Sequence, residues 1–455
     1  LIREGVARNF VDSKNGQESL RFLRAEDAPI VESVRSELRS VIASLSRDFQ
    51  LVSPWDPYSV EVAHVGNELG EVMNEMIRES PDESFCFLNE GRLREKAQII
   101  RKGFLDGDSR RRVTYAVKAN PKRRIIQILM EEGIRGFDCA SLGEIDLVQR
   151  ESRDAEVYFN NPVKSLSQVR ESWEKGVRYY SVQNREEIEK VMEARLDHGD
   201  PANIAVRLST SNSGAVINLS DKFGASIASS RELLRMVKEV PGLTRGLAIH
   251  TGSQNHDPGM FRRGIELMAG LARQEGAVES LNVGGGIPVN YHPGENYDCE
   301  AYLRVISQAI HDQIRGVMAE GESSDPRIIL ELGRAMVAES VDLAIPILSS
   351  DTREGKKCLY INDGVFTSFS DSPVHGWEYH FEAIRKDGRP VPTGREPYLV
   401  FGRTCDSGDQ LGTVLLPEGL ASGDWLWVRN AGAYLDSQST FFNGLMPPTY
   451  VSYNI

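Results

Sequence analysis

Between residues 85 and 340, short apolar runs alternate with stretches whose apolar residues recur at helical spacing. The apolar runs fall at 113–117, 136–137, 157–159, 179–182, 205–208, 246–250, 280–283 and 328–330, and each predicts a buried strand. Between them, 123–132, 142–150, 185–195, 229–239 and 259–274 predict amphipathic helices. Strands interleaved with helices in this way predict a (β/α)8 TIM barrel, with a doubly wound open sheet as the alternative that periodicity leaves open. After about residue 340 the pattern changes. Strand-like runs at 341–348, 358–361, 398–401 and 425–429 stand between Gly, Pro, Asp and Ser turns, which predicts an all-β domain. Ahead of the barrel, 31–51 and 69–77 show helical spacing, with Pro54 and Pro57 between them. The expected division is a helical N-terminal extension over 1–80, an α/β barrel over 81–340 and a β-rich C-terminal domain over 341–455, joined by part of the N-terminal segment.

Composition narrows the function classes. Hydrophobic residues make up 40% and charged residues 26%, as in ordinary globular proteins. No long apolar run predicts a membrane span. The first fifteen residues are mixed and charged with no apolar signal core, and the chain opens on Leu1 rather than Met, which leaves room for residues upstream. A formal charge of −13 argues against a nucleic-acid partner and suits a cationic small substrate. The five cysteines are widely spaced, with no CxxC pair or zinc pattern, so a reduced, cytoplasmic protein without a metal centre is expected.

Barrels of this kind carry their chemistry at the C-terminal ends of the strands. Here those ends read Lys118-Ala119-Asn120, Asp138-Cys139-Ala140-Ser141, Arg207, His250-Thr251-Gly252-Ser253, Gly284-Gly285-Gly286 and Glu331-Leu332-Gly333-Arg334. A lysine closing an apolar strand is either a terminus whose ammonium reaches solvent or a desolvated amine of lowered pKa, able to form an imine with a carbonyl cofactor. Consecutive glycines let backbone N–H groups approach a phosphate, and Arg334 is placed to complete the cradle.

Taken in order, Tyr115–Asn120, Phe137–Ser141, His250–Ser253, Gly284–Gly286, Glu331–Arg334, Asn362–Val365, Thr404–Ser407, Gly432–Tyr434 and Phe442–Gly444 resemble successive motifs of the fold-type III pyridoxal 5'-phosphate (PLP) decarboxylases, over roughly residues 85–455. That family includes the ornithine, lysine, arginine and diaminopimelate decarboxylases. The resemblance implies that Lys118 binds PLP as an imine and that Glu331 keeps the pyridine nitrogen protonated. It implies that His250 stacks on the ring and that Asp138 and Arg207 flank it. Ser253, Gly284, Gly285, Gly286, Arg334 and Tyr434 would hold the phosphate. Cys405 would return a proton after CO2 leaves, and Asp406 would meet a distal amine, both across the two-fold interface of a homodimer with shared active sites. Phe442, Tyr434 and His375 complete the implied substrate pocket.

The resemblance implies a decarboxylase acting on ornithine or lysine and releasing putrescine or cadaverine. Family ornithine decarboxylases carry a second acidic residue at the position of His375, with Asp371 and Glu378 on either side here. Diaminopimelate decarboxylation is the alternative, since Cys405-Asp406-Ser407-Gly408-Asp409 is similar to that group. Its Arg-Pro pair is absent until Arg389-Pro390, and the chirality of the substrate stays open. From another class, an inactive regulator like the antizyme inhibitors would share the fold, but such proteins lose cofactor residues that are present here.

Overall fold

Eight parallel strands close a barrel in the order Ser280–Asn282, Arg327–Leu332, Arg111–Ala116, Gly136–Cys139, Glu156–Phe159, Tyr179–Val182, Ala202–Arg207 and Leu243–Ala248, with the last pairing back to the first. The computed structural model describes residues 63–64, 78–195, 200–210, 214–276, 278–314, 326–371, 378–386, 391–435 and 437–453. The helices predicted at 31–51 and 69–77 lie outside these residues. The strands are apolar on both faces for a physical reason. Tyr158, Tyr179, Ala205, Ala248 and Ile329 form one cluster, while their neighbours Phe159, Tyr180, Val206, Leu247 and Leu330 pack into the larger core with the helices. Helix Arg123–Glu131 buries Ile125, Ile126, Ile128 and Leu129, and each such side chain contributes roughly 1.5–3 kcal/mol when removed from water. Ser141 and Ser165 cap the helices that follow them, the latter in a capping box with Gln168. Helices Glu90–Leu105, Leu166–Glu174 and Cys299–Ile314 were not among those predicted. Leu166–Glu174 buries little beyond Val169 and Trp173, which leaves a weak periodic signal.

The second domain is built on Val341–Arg353, a thirteen-residue strand. Its buried first half pairs with Phe85–Asn89 and Trp425–Val428, and its exposed second half pairs with Lys356–Ile361. Arg395–Phe401 and Gln410–Pro417 extend the sheet, Phe381–Ile384 pairs with Trp425–Val428, and Thr449–Tyr453 runs parallel to Phe85–Asn89. Phe85–Asn89 falls within the residues assigned to the barrel by pattern, yet it is a strand of this sheet. Its run Phe-Cys-Phe-Leu-Asn is buried throughout and would suit either domain; pairing decides. Phe85 stacks on Trp425 and Phe87 on Trp427, with ring centroids 6.3 and 5.7 Å apart.

The β domain returns to the barrel mouth just beyond Lys118. The Tyr434 N–H donates to Ala119 O at 2.7 Å, and Asn120 Nδ2 donates to Gly432 O and Tyr450 OH, both at 2.9 Å. Gly432 permits this close approach, since a Cβ there would lie 2.0 Å from Val337 O. Among the described residues no helix is long and apolar enough to cross a membrane.

Candidate active site

The strand ends converge on a cavity of about 180 Å3. Lys118 sits in the single turn Val117–Ala119 that follows Arg111–Ala116, Asp138 lies in Gly136–Cys139, and Glu331 lies in Arg327–Leu332. These three line the cavity with His250, Ser253, Gly285, Gly286, Arg334 and Tyr434. Gly284 and Arg207 stand behind the wall; the Arg207 guanidinium lies 5.1 Å from the Phe223 ring and acts on Asp138 and Glu331 by charge. The Arg334 guanidinium donates to Ser253 Oγ at 3.2 Å and to Tyr291 OH at 3.0 Å, and it packs on the Tyr434 ring 4.8 Å away.

Charge in the cavity is tightly balanced. Lys118 opens into the cavity, whose protein walls oppose its ammonium by desolvation, but Asp138, Tyr434 and Glu331 outweigh that and hold it above its ordinary value. This corrects the expectation of a lowered lysine, because two carboxylates face an amine that desolvation alone would have lowered. Asp138 is pushed up by burial against the pull of Lys118 and Arg207. Glu331 is pushed up to about 7 by burial first and by Asp138 second. His250 is held well below its ordinary value by burial, then by Arg207 and Lys118, so its ring is neutral. Its Nδ1 accepts the Gly252 N–H at 3.1 Å.

The residues fit pyridoxal phosphate. Among the described residues the N–H groups of Gly285 and Gly286 meet no acceptor, and they stand beside a guanidinium and a serine hydroxyl, a donor set suited to a phosphate. Gly286 has φ +119°, and a Cβ there would lie 2.1 Å from Gly252 O, so no other residue would let the two loops close this way. At the other end an amine, two carboxylates and a neutral imidazole surround room for a ring.

Cys405 and Asp406 are exposed and do not line the cavity of their own chain. The Cys405 thiol donates to Asn443 Oδ1 at 3.3 Å, Asp406 accepts the Gly408 N–H at 2.7 Å, and Phe442 stacks on Phe366 at 4.8 Å. His375 lies outside the described residues. Asp371 is buried and lines the cavity instead, close enough to Arg334, Tyr291 and Tyr379 to act on each by charge. Pattern reading also passed over Asn160 and Asn282, both bound to Glu331. The rule that flagged Lys118 would have found them, since Asn160 directly follows Glu156–Phe159 and Asn282 ends Ser280–Asn282.

Residues 90–338 match the family described as pyridoxal-dependent decarboxylase, pyridoxal binding domain. Antizyme inhibitor 2 of Xenopus laevis is 32% identical over 397 residues, covering 82% of each chain. Ornithine decarboxylase of Mus musculus is 30% identical over 420 residues, covering 86% of each. Among solved structures, the lysine decarboxylase of Selenomonas ruminantium is similar with a TM-score of 0.71 at 26% identity, covering 85% of this chain and 95% of that one. Barrel, β domain, cavity and these likenesses agree: the chain belongs to the pyridoxal-dependent amino-acid decarboxylases, with pyridoxal 5'-phosphate as its cofactor.

Proposed function

We propose that this enzyme decarboxylates a diamino monocarboxylic acid, ornithine or lysine of either hand, releasing CO2 and putrescine or cadaverine. The observation that carries the reading is Asp371, a buried carboxylate on the wall of the cavity that also holds Lys118. A distal ammonium entering that cavity finds an acid within the same chain, and a charge-assisted hydrogen bond there contributes roughly 1.5–3 kcal/mol. The mouse ornithine decarboxylase and the Selenomonas lysine decarboxylase among its relatives support a basic substrate.

Bound in this cavity, the cofactor supplies an electron sink when the α-carboxylate leaves. Lys118 would hold the carbonyl end of the cofactor through its amine. The neutral His250 ring would offer the cofactor a flat, uncharged face, and Glu331 would partner its ring nitrogen. Ser253, Gly285, Gly286, Arg334 and Tyr434 would hold the phosphate, while Gly284, behind the wall, gives its N–H to Asn282 Oδ1. Cys405 and Asp406 reach the site from a second copy of the chain, the thiol returning a proton to Cα and the carboxylate adding to the pull on the distal ammonium.

Amine release from both enantiomers of ornithine, lysine, arginine and norleucine, and from meso-diaminopimelate, tests the reading. Ornithine or lysine should lead. Asp371→Ala should lower kcat/KM for that substrate by about ten- to hundredfold while changing norleucine little. A lead for meso-diaminopimelate or for a neutral amino acid would overturn the substrate assignment. Kinship to an antizyme inhibitor favours a second reading, an inactive regulator. Lys118, His250, Glu331 and Arg334 all line the cavity, which supports the enzyme, and visible cofactor absorbance in purified protein separates the two.

A further inference from the structure

We propose that Asn160 and Asn282 are paired positioning residues that hold Glu331 ionised, donating two amide hydrogen bonds to one of its oxygens and leaving the other for the ring nitrogen of the cofactor. The inference rests on the reading of Glu331 as the partner of that nitrogen.

Both amide bonds fall on Glu331 Oε1, from Asn160 Nδ2 and from Asn282 Nδ2, the latter at 2.5 Å. Neither amide is free to turn round. Asn282 Oδ1 accepts the Gly284 N–H at 2.9 Å, which points its nitrogen at the carboxylate. Asn160 donates toward Asp138 as well as Glu331, so its nitrogen serves two acids. Its Oδ1 is buried and meets no donor. An unpaired buried carbonyl oxygen is destabilising, and a side chain placed for packing alone would not keep one. Turning the amide would aim an acceptor at two carboxylates, so the cavity tolerates the orphan oxygen to keep the donors in place.

The effect on chemistry follows from charge. Glu331 is half-buried beside Asp138, and desolvation and that neighbour both favour its neutral form. A neutral carboxyl gives the ring nitrogen no negative partner, and the electron sink weakens. Hydrogen bonds to the charged form oppose this, each moving the titration by about one to two pH units. With Glu331 at about 7, where Asn282, Lys118 and Arg207 pull against burial and Asp138, loss of an amide bond shifts the balance toward the neutral form in neutral solution. Asn282 also ties this control to the glycine turn, since Gly284 is held by its oxygen and Glu331 N–H donates to Gly284 O at 3.0 Å.

The test uses the full chain with Asn160→Ala, Asn160→Asp and Asn282→Ala, and Glu331→Gln as reference. In apoprotein, the Glu331 carboxyl band is titrated by isotope-edited infrared spectroscopy against Glu331→Gln. In holoenzyme, cofactor absorbance, kcat and KM are followed against pH. The expected result is a Glu331 titration raised by about one unit or more in Asn160→Ala and Asn282→Ala, with the acid limb of kcat moving with it and KM nearly constant. Asn160→Asp keeps the shape, loses the donors and carries the same expectation should the alanine variant not fold. Weaker PLP binding in Asn282→Ala without any movement of the Glu331 titration would mean a purely structural role and would overturn the proposal. Titrations that coincide with wild type in all three variants would do the same. If Glu331→Gln itself leaves the cofactor spectrum unchanged, the ring-partner reading falls too; if it changes the spectrum while the asparagine variants do nothing, only the present inference falls.

Discussion

At the scale of single residues, the site rests on ionisable groups withdrawn from water. Glu144 is one that the chemistry does not use. It accepts the Ala140 N–H at 2.6 Å from the first turn of helix Leu142–Glu151, and burial pushes it from 4.5 up to about 7. A carboxyl raised on folding contributes its full stability below its unfolded value, and that contribution is lost as pH rises through the folded one. Over the window from about 4.5 to 7, the wild-type apoprotein should therefore lose up to about 3 kcal/mol relative to Glu144→Gln, and the difference should flatten above 7. Denaturant titrations of both proteins across that range check it; a constant difference would mean that Glu144 ionises freely in the folded chain. Glutamine keeps an acceptor for Ala140, so the comparison isolates the proton.

At the scale of elements, the loop that carries Cys405 is held from beneath by one carboxylate. Asp409 is buried and accepts the N–H of Val365 at 2.9 Å, the N–H of Thr404 at 3.0 Å and the Thr404 hydroxyl at 2.7 Å. It thereby ties the Cys405 loop to the Asn362–Val365 turn. Asn443, at φ +59°, holds the loop from the other side through the Cys405 N–H at 3.0 Å. Asp409→Ala leaves three donors without their acceptor and should cost roughly 3 kcal/mol of stability. Its kcat should fall at least tenfold while cofactor absorbance stays at the wild-type level, because the loop lies outside the cavity that Lys118 occupies. Equal loss of bound cofactor and of kcat would show that the loop does not act independently of the PLP site.

At the scale of the whole molecule, each chain presents a complete cofactor cavity and a separate, exposed Cys405-Asp406 segment. A two-fold assembly that brings the segment of one copy to the cavity of the other would join them. Mixing Lys118→Ala with Cys405→Ala protein should then restore one intact site per heterodimer, recovering about a quarter of wild-type activity when exchange is statistical. No recovery between subunits shown to exchange would rule out sharing.

Much of this was legible in the chain. Eight apolar runs marked the eight barrel strands, because a strand buried on both faces must be apolar throughout. Lys118, Asp138, His250 and Glu331 were visible as polar residues at the ends of such runs, where desolvation makes a polar side chain costly without a task. What periodicity could not carry was pairing. Phe85–Asn89 reads as a strand for either domain, and its pairing with Val341–Arg353 and Thr449–Tyr453 assigns it to the β sheet. The lysine's charge was misjudged for a related reason: local sequence shows burial, whereas the Asp138 and Glu331 carboxylates reach Lys118 only once the barrel closes. The sequence by itself determined the layers, the strand ends and the chemical types at the mouth, since these follow from the period of burial. Tertiary structure alone decided that Asp371 joins Asp138 and Glu331 on the cavity wall, and which amides meet Glu331. Those contacts join residues far apart in the chain, whose distance is set by barrel closure and domain docking.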